Sequence, residues 1–93
     1  MNIIICDDRI DDRKNLSDLL SDYGEKKNYE FAITEYDSGE QLCEEQSALE
    51  ACQILFLDIN MQGMDGLKTA MRIKEKYPKL PVVLVTAYMN YAL

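Results

Sequence analysis

The sequence predicts an α/β domain: a doubly wound parallel sheet with helices on both faces. Three observations carry this. The runs Ile3-Ile4-Ile5-Cys6, Ile54-Leu55-Phe56-Leu57 and Val82-Val83-Leu84-Val85 are short and rich in Ile, Val and Leu, the pattern of strands buried on both faces. Segments of helical spacing separate the strands, and such alternation implies parallel strands joined by right-handed crossovers. Lastly, each run stops on polar groups: Asp7-Asp8, Asp58 and Thr86. Ligands of open α/β sheets bind beyond the carboxyl ends of the strands, so the three acids and the hydroxyl should meet at one functional edge.

The first strand is expected over residues 2–6. A helix follows from Ile10 to Tyr23, with Leu16, Leu19, Leu20 and Tyr23 at helical spacing and Gly24 as its stop. After the polar loop Lys26-Lys27-Asn28, residues 30–36 form a second strand with Phe31 and Ile33 on one face. Ser38 followed by Gln41 is a capping-box pattern and starts a short helix to about residue 46. Residues 47–52 lead to a third strand over 53–57. Asn60 to Gly66 is a loop with two glycines that permit tight turns. The next helix spans 66–77, with Leu67, Ala70, Met71, Lys74 and Tyr77 on one side and Ile73 flanking. Pro78 and Pro81 lead into a fourth strand, 82–86, and Tyr88 to Leu93 opens a further helix.

Ninety-three residues with 47% hydrophobic content suit one small domain with a packed core. The net charge of −7 excludes a basic footprint, so direct nucleic-acid binding by this segment is not expected. Absence of His removes Ser-His-Asp and Cys-His catalysis and His-bearing zinc sites. Cys6, Cys43 and Cys52 lack metal or redox spacing and read as reduced, partly buried thiols. Met61, Met64 and Met71 read as packing residues. There is no signal-peptide pattern and no apolar run near the ~18 residues of a membrane span. The expectation is a cytoplasmic protein without membrane contact.

Carboxylates crowded at one edge repel: a pair ~4 Å apart costs about 4 kcal/mol at an effective dielectric of 20. Either a proton or a cation must relieve this. Carboxylates with a backbone carbonyl and waters suit Mg²⁺, and a carboxylate beside such a metal can attack a phosphoryl group. Taken singly, Asp7 and Asp8 fit a helix start, Asp58 a turn, and Thr86 a strand end or cap. Their joint placement is what points to chemistry.

In these features the chain resembles the receiver domain of two-component response regulators. The matching residues are Asp7-Asp8, the segment Asp58-Ile59-Asn60-Met61-Gln62-Gly63-Met64-Asp65-Gly66, and Thr86-Ala87. The resemblance implies the flavodoxin-like fold with strand order 2-1-3-4. It implies Asp58 as phosphoacceptor from a sensor histidine kinase, and Mg²⁺ held by Asp8, Asp58 and the Asn60 backbone carbonyl. Asp7 would act through metal-bound water, and Thr86 would bond the phosphoryl group and carry the switch. Thr86-Ala87-Tyr88 with Tyr91-Ala92-Leu93 is similar to the subgroup bearing a LytTR-type DNA-binding output domain. Gln62 stands where many members have Pro, and altered loop stiffness is the expected consequence. Receivers also carry a fifth strand with an essential Lys, then a fifth helix. Only seven residues follow Thr86, whereas a parallel crossover needs a dozen or more. The expectation is therefore a truncated receiver over residues 1–93, lacking that strand, helix and Lys. Its open strand edge would favour a homodimer.

Two other functions compete. A non-signalling interaction fragment would dimerise through the open edge while failing to bind Mg²⁺. A haloacid-dehalogenase-type phosphatase also uses an Asp nucleophile, but wants an Asp two residues later as general acid. Asn60 stands there, and an amide does not cycle a proton as a carboxylic acid does. Turnover of a generic phosphate ester would be its mark. The expected role is a signalling receiver, not an enzyme beyond Mg²⁺-dependent self-phosphorylation and autodephosphorylation, driving an output such as transcription.

Overall fold

The computed structural model describes residues 1–85. It contains β1 (Asn2–Cys6), α1 (Ile10–Lys27), β2 (Ala32–Tyr36), α2 (Gly39–Glu44), α3 (Gln46–Ala51), β3 (Ile54–Asp58), α4 (Gly66–Lys76) and β4 (Val82–Val85). Thr86 as the strand end, the helix expected over Tyr88 to Leu93, and the two motifs that suggested the LytTR-type subgroup lie outside the described residues. The strands form one parallel sheet in the order β2-β1-β3-β4, as expected. No helix among the described residues is long and apolar enough to cross a membrane.

Side-chain alternation splits β1 between two layers. Ile4 and Cys6 join Leu55 and Leu57 of β3, Leu42 of α2, Leu49 of α3 and Ile73 of α4 in the main core. Ile3 and Ile5 are equally buried but belong to the opposite face, the one left to α1, which packs against β1.

Three expectations are corrected, each for a physical reason. Gly24 does not stop α1. It is buried within the helix, where a Cβ would lie 3.0 Å from both Phe31 Cδ2 and the Tyr29 carbonyl oxygen. The glycine therefore serves close packing of the returning chain, and Asn28 ends α1 instead with a left-handed backbone at φ 59°. The chain over 46–51 is a second short helix, because Leu49 must be turned into the core. The third correction concerns the inward faces. Leu19, Leu67 and Met71 are exposed, and Tyr23 packs on Tyr29 with ring centroids 6.2 Å apart rather than on the core. The buried residues of α4 are Gly66, Thr69 and Ile73.

Thr69 is fully buried because its hydroxyl donates to the Asp65 carbonyl at 2.8 Å. Its Oγ1 fills the space that a Cβ on Gly39 would need. This contact holds α2 against α4 beside the loop that follows β3. Gly39→Ala is expected to destabilise by about 2 kcal/mol through overpacking. In a double-mutant cycle, part of that loss should vanish against a Thr69→Ala background. Strict additivity in urea denaturation would show that this contact is not the cause.

Candidate functional site

The register aligns Cys6 with Leu57, so the next residues, Asp7 and Asp58, leave neighbouring strands at the same level. The Asp7 amide extends the β1–β2 pairing by donating to the Tyr36 carbonyl at 3.1 Å. The Arg9 amide donates to Asp7 Oδ1 at 2.9 Å, and Arg13 Nη1 donates to the Asp7 carbonyl at 2.8 Å. Arg13 also bonds Glu35 through Nε at 3.0 Å, which ties α1 to β2.

Asp7 and Asp58 are both buried, at 8% and 6% exposure. Burial pushes the Asp7 carboxyl up to about 6, and the charges of Asp58, Asp12 and Asp8 push in the same direction; the Arg9 amide opposes them. Asp58 Oδ1 accepts from the Asn60 amide at 3.3 Å. Asp8 is half-buried. Its Oδ2 accepts from the Gln62 amide at 3.0 Å, and its Oδ1 is buried with no hydrogen-bond partner among the described residues. The three carboxylates each offer an oxygen within 4.8 Å of the others. An open cleft of about 730 Å³, lined by Asp8, Arg9, Asp37, Ser38, Asn60, Met61 and Gln62, leads to solvent.

The loop from 59 to 65 is held from several sides. The Ile59 amide donates to the Val85 carbonyl, and the Gly66 amide closes the loop by donating to the Ile59 carbonyl, both at 3.0 Å. Met61 is buried, with its Sδ accepting from Cys6 Sγ at 3.7 Å. Gly63 takes φ 72°, and Glu40 Oε1 accepts from the Met64 amide at 3.3 Å. Asp65 caps α4 by accepting from the Lys68 amide at 2.8 Å.

Asp7, Asp8 and Asp58 thus converge as expected, with Asn60 adjoining them; Thr86 lies outside the described residues. Hard oxygen donors, one of them buried without a partner among the described residues, form a donor set that fits a divalent cation. All three thiols are free and raised by burial, Cys6 to about 12, so none is a ready nucleophile. The Gln62 amide and the Glu40 tether were not foreseen. Gln62 carried a readable signal, because a residue other than Pro brings an N–H to that position.

Residues 3–93 match the family model of the response regulator receiver domain. The response regulator protein FleR of Pseudomonas aeruginosa is 38% identical over 79 residues, covering 85% of this chain and 16% of FleR. The positive alginate biosynthesis regulatory protein of the same species is 32% identical over 93 residues, covering 100% of this chain and 36% of that protein. The chain therefore spans well under half the length of these curated relatives. Among solved structures, the response regulator protein TrrA of Thermotoga maritima in complex with Mg(2+)-BeF superposes with a TM-score of 0.80 at 28% identity, covering 97% of this chain and 72% of TrrA.

Proposed function

The chain belongs to the response regulator receiver domain family, and on that premise we propose that it is phosphorylated on Asp58 by a sensor histidine kinase. The observation that carries this reading is the convergence of carboxylate oxygens of Asp7, Asp8 and Asp58 within 4.8 Å, with Asp8 Oδ1 buried and without a hydrogen-bond partner among the described residues. Asp8, Asp58 and the Asn60 carbonyl would hold Mg²⁺, with Asp7 acting through bound water. That ion, when bound, supplies positive charge between the carboxylates and an incoming phosphoryl group. The TrrA complex supports the assignment by its likeness.

The residues of this chain divide the work. The Asn60 amide orients the Asp58 carboxylate through Oδ1. A carboxylate oxygen of Asp58 forms the new bond to phosphorus as the donor's P–N bond breaks, and the electron pair returns to the imidazole nitrogen. Thr86 would bond the transferred group and report its presence. Receiver domains are signalling modules, and the output proposed here is transcription through a separate DNA-binding domain.

Beryllofluoride binding followed by NMR tests the assignment. Wild type is expected to bind only with Mg²⁺, Asp58→Asn to lose binding entirely, and Asp65→Asn to retain it, since Asn still caps α4. Mg²⁺-independent binding, or binding by Asp58→Asn, would overturn the reading.

A further inference from the structure

We infer that the backbone amide of Gln62 is a positioning group of the cation site, holding Asp8 by Oδ2 so that Oδ1 is presented to the metal. This rests on the proposed reading of Asp8 as a metal ligand.

A carboxylate turns about its last torsion with little preference between its oxygens. Here the symmetry is broken. Oδ2 accepts from Gln62 N at 3.0 Å, and Oδ1, on the same group, is buried without a hydrogen-bond partner among the described residues. The bond joins the end of β1 to the loop after β3 across 54 residues of sequence. It therefore fixes both the carboxylate and the loop that carries the Asn60 carbonyl. The Gln62 side chain takes no part, since residue 62 is exposed and its main chain makes the contact. Only Pro lacks this donor. Gln62 thus gives this chain a hydrogen bond to a metal-site carboxylate that a Pro-bearing receiver cannot form.

The rest of the loop is anchored independently, by the buried Met61 on one side and the Met64–Glu40 hydrogen bond on the other. Removing the Gln62 donor should leave those anchors in place.

The test titrates Mg²⁺ alone into wild type, Gln62→Ala and Gln62→Pro, followed by NMR. Gln62→Ala keeps the amide and should match wild type within twofold. Gln62→Pro should bind Mg²⁺ about tenfold more weakly, the scale on which groups supporting metal ligands act. Equal or tighter binding by Gln62→Pro overturns the inference while leaving the cation site intact. A wild type that binds no Mg²⁺ overturns the site and the inference together. Amide hydrogen exchange adds a readout independent of how Gln62→Pro folds. The Gln62 N–H should be protected in the metal-free wild type and lose that protection in Asp8→Ala. Exchange at the free-peptide rate in wild type would overturn the proposal.

Discussion

Gly66→Ala should lower stability by about 3 kcal/mol or more, the largest loss expected from adding a single methyl group to this domain. A Cβ at residue 66 would overlap the Asp58 carbonyl oxygen and lie 2.6 Å from Ile59 Cα and 2.8 Å from the Asp58 carbonyl carbon. These are backbone atoms of β3 and the residue after it, so no rotamer change relieves the overlap. Helix α4 would have to lift away. That breaks the hydrogen bond from the Gly66 amide to the Ile59 carbonyl and unseats Thr69 and Ile73. A domain of this size has little stability in reserve. The displacement also strikes the site, because the clashing carbonyl belongs to Asp58 itself. Urea denaturation should show the lowered midpoint, and any folded fraction should bind beryllofluoride weakly. A loss below about 1 kcal/mol would mean that α4 is seated far less rigidly than this packing implies.

Gly66 was legible in the sequence only as a turn glycine; its close approach to a distant backbone was not. The same division runs through the molecule. Strand positions could be read because Ile3–Cys6, Ile54–Leu57 and Val82–Val85 are local apolar runs with polar stops. Alternation with helices then implied a parallel sheet, and resemblance to a known family supplied the order that makes β1 and β3 neighbours. Helix faces were harder. In α4 the spacing put Leu67 and Met71 on one side with Ala70 and Tyr77, and Met71 read as a packing residue, yet Leu67 and Met71 are exposed. The buried face is set by small residues that allow close approach, Gly66 and Thr69, and Thr69 tolerates burial only because its hydroxyl bonds within its own helix turn. The acids at the site were visible as side chains. Their supports, the amides of Arg9, Asn60 and Gln62, are main-chain groups that residue type does not announce.

Those supports do not neutralise the crowding, and Asp7→Asn should expose the cost. In the folded protein the Asp7 carboxyl is pushed from its ordinary 3.8 up to about 6, chiefly by burial and then by Asp58, Asp12 and Asp8. The native state therefore holds a proton, between those two values, that the unfolded chain has released. The favourable contribution of protonated Asp7 is fully present below about pH 4 and is lost as pH rises through 6. At pH 7 the ionised, buried group costs about 2 to 3 kcal/mol relative to that limit. Asn has the same shape, carries no charge, and its carbonyl oxygen can still accept from the Arg9 amide. With divalent cations chelated, Asp7→Asn should be more stable than wild type by about 2 kcal/mol at pH 7, and by nearly nothing at pH 4. Added Mg²⁺ should reverse the sense, because a ligand stabilises the state that binds it and wild type keeps all three carboxylates. Urea midpoints at both pH values, with chelator and with Mg²⁺, separate these effects. A chelated variant less stable than wild type at pH 7 would show that Asp7 holds the fold together rather than straining it to keep a cation site ready.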